Sequence, residues 1–384
     1  MDFALSKEQE LFRSSIRKFL NSVEQTKVAR SYIEGDDRLF KESWNGLAAL
    51  GTMGIMISED YGGLGFNQID LVPAIEELGR VLYPGIFVET IGFAAPLIER
   101  YGTGQQKDKY LPEIASGTRT MSLAWLEPNT MGYGQNDIQT TAIKSGHSLT
   151  IKGVKTLVQE GKTADTLIVP VKTDGDKVSL VLINQRDYQL NTSNLQCVDG
   201  TRNLAEINLN HVQVSLEQVL GPMNEGWNIL QEGLLHLNAA LAASLVGGLD
   251  RVVEMAVDYA NTREQFGHPI GRYQAIKHRI VDMKVDLETA RSLTYYANWA
   301  IDQDVDDKLA AVAGARAFAT EVFLKAAGHN VQIYGGIGYT SEVDCHLYLK
   351  RAISMESYLG SIEDYYEQVA LGKKWLTNEL QLHG

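Results

Sequence analysis

Hydrophobic positions change their period twice along the chain. Over residues 1–118 apolar side chains recur every three or four residues. "LVPAIEELGRVL" (71–82) and "FAAPLIERYG" (93–102) show the spacing of a single buried helix face. Ser6, three residues before Gln9, has the form of a capping box opening a helix through "LFRSSIRKFL". Gly102 and Gly117 stand where helices stop. "EDYGGLGF" (59–66) reads as a glycine-rich loop between helices. From residue 119 the runs shorten and fill with β-branched residues: "TMSLAWLE", "HSLTIKGVKTLV", "DTLIVPVK", "KVSLVLIN" and "AEINLNHVQV". Ser145-Gly146 and Asp174-Gly175 punctuate them as turns. After Gly221-Pro222 the helical period returns in three long segments, 228–266, 273–303 and 308–336. Their alanine and leucine content suits helices packed on several sides. The pattern predicts a mainly α chain with a central β-domain. It comprises an N-terminal helical domain (1–118), a central β-domain (119–220) and a C-terminal helical bundle (221–384), with no internal repeat.

Composition narrows the function. At 384 residues and 44% hydrophobic content the chain can fill two or three cores without covalent staples. Its two cysteines, Cys197 and Cys345, form no CxxC, which fits a reducing compartment and offers no metal cage. A formal charge of −13 argues against binding a nucleic-acid backbone. An anionic cofactor would have to be met by local donors. No apolar run reaches transmembrane length, and "MDFALSKEQELFRSS" lacks an apolar signal core. The expectation is a soluble, cytoplasmic protein.

Two motifs carry candidate chemistry. "TREQFGHPIGRYQAIKHRIVDM" (262–283) places Arg263, Phe266 and Gly267 at a helix end, followed by Gln274. Alone, it reads as a glycine stop with a new helix after Pro269. "VQIYGGIGYT" (331–340) offers Gln332 and the pair Gly335-Gly336, where a ligand can approach the backbone closely. Alone, it reads as a turn. Taken with "EDYGGLGF", "LEPNTMGYGQND" (126–137) and "GPMNEGWNIL", in this order and at these distances, the chain resembles the acyl-CoA dehydrogenase family over essentially its whole length. That resemblance implies an N-terminal helical domain, a barrel-like β-domain and a C-terminal four-helix bundle, assembled as a tetramer. It implies FAD as cofactor, bound across a subunit interface, with Arg263, Phe266, Gln274, Gln332, Gly335 and Gly336 as cofactor-binding residues. It also implies a place in fatty-acid or lipid metabolism, with α,β-dehydrogenation of an acyl-CoA thioester. That reaction needs a carboxylate to remove the α-proton, hydrogen bonds that polarise the thioester carbonyl, and the flavin N5 as hydride acceptor.

The chain departs from the family where the chemistry is done. The usual base, a glutamate after the glycine pair, corresponds to Leu359 in Tyr358-Leu359-Gly360-Ser361. The alternative base position, on the helix before the "RxxFG" stretch, is Leu237, and neighbouring Glu232 and His236 are out of register. Glu356 reads as a solvated helix surface. The resemblance places Leu126 at the threonine of the glutamate-proline loop and Leu157-Val158-Gln159 at the flavin-flanking tryptophan-isoleucine-threonine. It places Asn238 at the arginine that orients the base. No catalytic residue is assigned. In the family the neighbouring subunit contributes the arginine, phenylalanine, glutamine and second glycine, and those four, Arg263, Phe266, Gln332 and Gly336, are intact here. The leading expectation is a base-lacking subunit that completes a partner's FAD site. Its partners would be a second family member or a copy of itself, an acyl-CoA in the complex, and an electron-transferring flavoprotein. Two other readings stay open. One is a self-sufficient flavoenzyme with altered chemistry (desulfination, reduction of an activated alkene, oxygen chemistry), since Leu359 keeps its backbone N–H. The other is a flavin-free scaffold.

Overall fold

The computed structural model describes residues 5–24, 26–128, 130 and 132–375. Asn129 and Met131 of the 126–137 loop, and the first four residues of the N-terminal stretch, lie outside the described residues. The chain forms helical regions at both ends and a central curled β-region, in two compact units interleaved along the sequence. One comprises Met1–Gly35, Gln68–Tyr83 and Asn238–Gly384; the other comprises Asp36–Asn67 and Pro84–Leu237.

The first unit is helical. Its opening helix, Lys7–Ser22, carries the capping box: the Gln9 N–H donates to Ser6 Oγ at 3.1 Å and the Ser6 N–H to Gln9 Oε1 at 2.9 Å. The Gln68–Arg80 helix crosses Gly226–Thr262 with no room for side chains at the contact. A Cβ on Gly79 would stand 2.1 Å from the Ser244 carbonyl oxygen, and one on Gly247 would stand 2.0 Å from that of Glu76. Glu76 and Glu77, both buried, receive Arg13 at 3.0 and 2.7 Å, and Arg17 forks onto Glu77. The helices Lys27–Ile33, Gln274–Asp302, Lys308–Tyr334, Cys345–Glu356 and Ile362–Gly372 also belong to this unit.

One helix is shorter than its period suggests. The 228–266 segment was expected to be continuous, yet the helix ends at Thr262. The next residues form a two-residue hairpin pairing Glu264 with Pro269 and Gln265 with His268. Its turn residues, Phe266 and Gly267, both have positive φ (54° and 77°), as tight hairpin turns require. The Ile270 N–H closes back onto the Arg263 carbonyl at 2.8 Å. Bulky residues avoid this conformation, so a phenylalanine here gives no sequence signal for a turn.

The second unit holds the sheets. Its strands are β1 (Met121–Leu123), β2 (Thr141–Ser145), β3 (Ser148–Lys152), β4 (Val154–Gln159) and β5 (Thr166–Asp174). They continue as β6 (Lys177–Asn184), β7 (Asn191–Leu195), β8 (Leu204–Asn208), β9 (Val212–Ser215) and β10 (Val219–Leu220). The larger sheet runs β10-β6-β5-β2-β3-β9 with β1 also on β5, and the smaller runs β4-β8-β7. β5 and β6 read as near-continuous apolar runs because both are buried over most of their length. Pro170 is tolerated in β5 because it lies between the segment paired to β1 (166–168) and the pairing of Lys172 to β2. The anticipated turns are present: Gly146 and Gly175, with φ of 59° and 61°, close the β2–β3 and β5–β6 hairpins. Gly117, at φ 73°, ends the Gly104–Ala115 helix. Among the described residues no helix is long and apolar enough to cross a membrane.

Candidate functional site

The residues expected to face a cofactor lie together on the first unit. Arg263, Phe266 and Gln274 occupy the connection between the Gly226–Thr262 and Gln274–Asp302 helices. All three are exposed, Phe266 by 91%. Gln332, Gly335 and Gly336 end the Lys308–Tyr334 helix, with Gln332 and Gly336 exposed. Tyr259, one turn before Arg263, stacks on Tyr334, the residue before Gly335, with centroids 4.0 Å apart and planes 13° apart. The two groups are therefore neighbours. No atom lies within 4 Å of where a Cβ on Gly335 or Gly336 would stand. This surface presents a guanidinium, an uncovered phenyl ring and bare backbone, which suit an anionic, flat ligand.

The two candidate base positions are buried and apolar. Leu237 is 0% exposed and Leu359 is 9% exposed. Leu359 sits in the break between the Cys345–Glu356 and Ile362–Gly372 helices, with φ of 64°. A buried polar network holds that break. Arg316, fully buried in the Lys308–Tyr334 helix, donates from Nη2 to the Met355 and Tyr358 carbonyls at 3.0 and 3.2 Å. Its guanidinium lies 5.5 Å from the centre of the Tyr365 ring. The Tyr365 hydroxyl reaches Asn238 Oδ1 at 2.9 Å and the Leu359 carbonyl at 3.0 Å. Burial pushes the Tyr365 phenol up, with the nearby Arg316 charge opposing. Asn238 and Leu359 are thus joined through Tyr365. Asn238 Oδ1 is taken up by the Tyr365 hydroxyl, and position 359 itself carries no carboxylate. Glu356 is exposed, as its helix-surface reading requires.

The remaining altered positions lie in the second unit. Leu157 occupies an irregularity in the β4–β8 pairing, with φ of 53° and 47% exposure. Leu126 is beside it, its carbonyl accepting the Thr156 N–H at 2.8 Å. Gln159 is buried and committed: Nε2 donates to the Gly85 carbonyl at 3.2 Å, and Oε1 accepts from Arg202 Nε at 2.5 Å. Of the out-of-register groups, Glu232 is held by Tyr101 Oη and by Arg100 at 2.5 Å.

Sequence reasoning missed two arrangements. One is the Arg316–Tyr365 network. Its signal is a lone cation within the alanine-rich run "AVAGARAFAT", since a charge on a buried helix face must be satisfied. The other is a closed loop. Glu127 accepts the Gln139 and Thr140 N–H groups, both at 3.0 Å, and Lys155 Nζ at 2.6 Å. Lys155 also reaches the Trp125 carbonyl at 3.2 Å. These bonds tie both ends of the segment between 127 and 139. Burial pushes the Lys155 ammonium down to about 8, with Glu127 opposing.

Comparison with known proteins agrees with this architecture. Residues 6–118 match the acyl-CoA dehydrogenase N-terminal domain and residues 224–372 the acyl-CoA dehydrogenase C-terminal domain. The chain is 30% identical over 372 residues to the probable acyl-CoA dehydrogenase YngJ of Bacillus subtilis (strain 168), covering 94% of this chain and 97% of that one. It is 28% identical over 379 residues to acryloyl-CoA reductase (NADH) of Anaerotignum propionicum, covering 94% and 93%. The solved structure of butyryl-CoA dehydrogenase from Megasphaera elsdenii superposes with a TM-score of 0.88 at 26% identity, over 97% of this chain and 100% of that one. Matched in both terminal domains and along nearly its whole length, the chain belongs to the acyl-CoA dehydrogenase family.

Proposed function

We propose that the chain is the base-lacking subunit of a heteromeric acyl-CoA dehydrogenase, lending its cofactor-facing surface to a partner's FAD site. The carrying observation is the contrast in exposure. Arg263, Phe266, Gln332 and Gly336 are turned to solvent, whereas Leu237 and Leu359 are buried apolar groups and Gln159 and Asn238 are hydrogen-bonded within their own units. The exposed group fits FAD: Arg263 would meet the pyrophosphate, Phe266 would cover a ring, and the open glycines would admit close approach. The flavin, where bound, supplies the hydride acceptor. This chain's own residues bind and orient it, and the proton-removing carboxylate comes from the partner, which the reading takes to be a second family member in a four-subunit assembly. Acyl-CoA would be the substrate and an electron-transferring flavoprotein the acceptor.

The likeness to acryloyl-CoA reductase favours one other reading, a self-sufficient flavoenzyme that reduces an activated alkene, with hydride from the reduced flavin going to the β-carbon and the α-proton drawn from water rather than from a side chain at 359. Purification separates the two. A chain colourless alone that gains stoichiometric FAD with a base-bearing family subunit supports the proposal. A yellow homo-oligomer that reduces enoyl-CoA overturns it. Arg263→Ala should weaken FAD retention in the complex by ~1.5–3 kcal/mol, the worth of a hydrogen bond to a charged group. Unchanged FAD affinity in the variant would remove Arg263 from the site.

A further inference from the structure

The six residues read as cofactor-facing sit on two chain segments that are far apart in sequence, and the stack of Tyr259 on Tyr334 joins the roots of the two. We infer that the Tyr259–Tyr334 stack is the positioning latch of the lent surface, a role that rests on the reading above.

The geometry supports this at both ends. On the Gly226–Thr262 side the Arg263 N–H bonds the Tyr259 carbonyl at 2.8 Å, so Arg263 follows directly on the latch residue. Beyond it the hairpin stiffens itself. The Tyr273 hydroxyl donates to the Gln265 carbonyl at 3.0 Å, and the Phe266 ring meets the Tyr273 ring edge-on at 6.3 Å. On the other side Tyr334 is the last residue of its helix, and Gly335 turns the chain at φ 67°. The stack is reinforced crosswise: Tyr259 Oη donates to the Tyr334 carbonyl at 3.4 Å and Tyr334 Oη to the Met255 carbonyl at 3.3 Å. Residues 261–269 are otherwise exposed throughout. The hairpin is closed by its own bonds, Arg272 Nη1 meeting His268 Nε2 at 2.6 Å among them, and the latch holds the base from which it springs.

Two tyrosines face to face at 4.0 Å make an attraction that does not need their hydroxyls. A phenylalanine at 334 should therefore keep the latch, whereas a leucine should release it. An aromatic pair is worth enough to change a local opening equilibrium by up to about tenfold.

The test uses the full chain, purified with its partner subunit or as its own oligomer. Wild type, Tyr334→Phe, Tyr334→Leu and Arg263→Ala are compared in two ways. Trypsin cleavage after Arg263 and Arg272 reports hairpin opening without reference to flavin. Bound FAD per protomer after gel filtration reports the lent surface. The expected result is faster cleavage and lower FAD retention in Tyr334→Leu, with both near wild type in Tyr334→Phe, while the circular-dichroism spectrum is unchanged. Cleavage in Tyr334→Leu at the wild-type rate overturns the latch. Faster cleavage with full FAD retention, in a background where Arg263→Ala does lose FAD, also overturns it, because the stack then anchors the hairpin without positioning the cofactor. If Arg263→Ala retains FAD fully, Arg263 leaves the site and the latch loses the cofactor role argued through it, whatever the cleavage rates.

Discussion

Replacing Tyr365 by phenylalanine removes one oxygen from the network under Leu359. The ring stays, so no cavity opens and the contact with Arg316 persists. What is lost is the single phenolic proton serving the Asn238 side chain at 2.9 Å and the Leu359 carbonyl at 3.0 Å, inside a region where Tyr365 is 2% exposed. One hydrogen bond is worth ~1 kcal/mol net, and an acceptor left buried without a donor costs a further ~1–3 kcal/mol. We expect a loss of about 2 kcal/mol, the lower end of that sum, which lowers the urea midpoint by roughly 0.7–1 M for an m-value of about 2–3 kcal/mol/M. The assay is urea unfolding of the full chain followed by circular dichroism. A second signature follows from titration. Burial raises the folded pKa of Tyr365 above the ordinary value of ~10. The stability gained by keeping the phenol protonated is complete below that ordinary value and is lost as pH climbs toward the folded value. Wild type should therefore weaken more steeply than Tyr365→Phe above pH ~10, and the gap between them should narrow. Equal midpoints at neutral pH, or parallel profiles in alkali, would refute the network as the support of the 359 break.

Other outcomes follow from the same geometry. Leu359→Glu should not confer acyl-CoA dehydrogenation alone, because a carboxylate buried there stays protonated and Asn238 gives it no cation; single-turnover flavin bleaching of this variant and of Leu359→Glu with Asn238→Arg is the measurement, and fast bleaching by the single variant would sink the partner-subunit reading. Lys155→Met should cost ~3–5 kcal/mol, since it leaves the buried Glu127 carboxylate without its cation and held only by the Gln139 and Thr140 N–H groups. Adding Glu127→Gln should recover much of that loss, and a thermal melt in which the double variant is no better than the single one contradicts the buried pair. Leu157→Gly should be stabilising by up to about 1 kcal/mol, because relief of left-handed strain exceeds the extra chain entropy at a half-exposed position; a lower denaturant midpoint would show that the leucine side chain packs usefully.

The helices and sheets were legible because burial imposes a period on the sequence, and the family's motifs singled out Arg263, Gln332 and Gly336 as candidates from residue type alone. The special backbone was not. Phe266, Leu157 and Leu359 all have positive φ, a conformation that their side chains argue against, so period and propensity pointed to a continuous helix at 263–266. The polar network was hidden for another reason. Tyr365 and Arg316 lie on different helices, and nothing along the chain pairs Tyr365 with Asn238, 127 positions away. Lys155 lay in a strand segment whose apolar neighbours concealed a buried cation.

The bonds that gather at Glu127 carry a consequence for how such a protein diversifies. They join the two feet of an excursion from the sheet, which is held further along by Gln135 Nε2 donating to the Asp176 carbonyl at 2.8 Å and by the Tyr133 ring meeting Trp125 edge-on. Lengthening a tethered excursion is cheap: doubling it costs only about 0.6 kcal/mol in closure entropy. Added residues in this excursion would thus leave the Glu127 bonds, and the strands those bonds join, in place. New recognition can be grafted at this rim without refolding the domain that bears it.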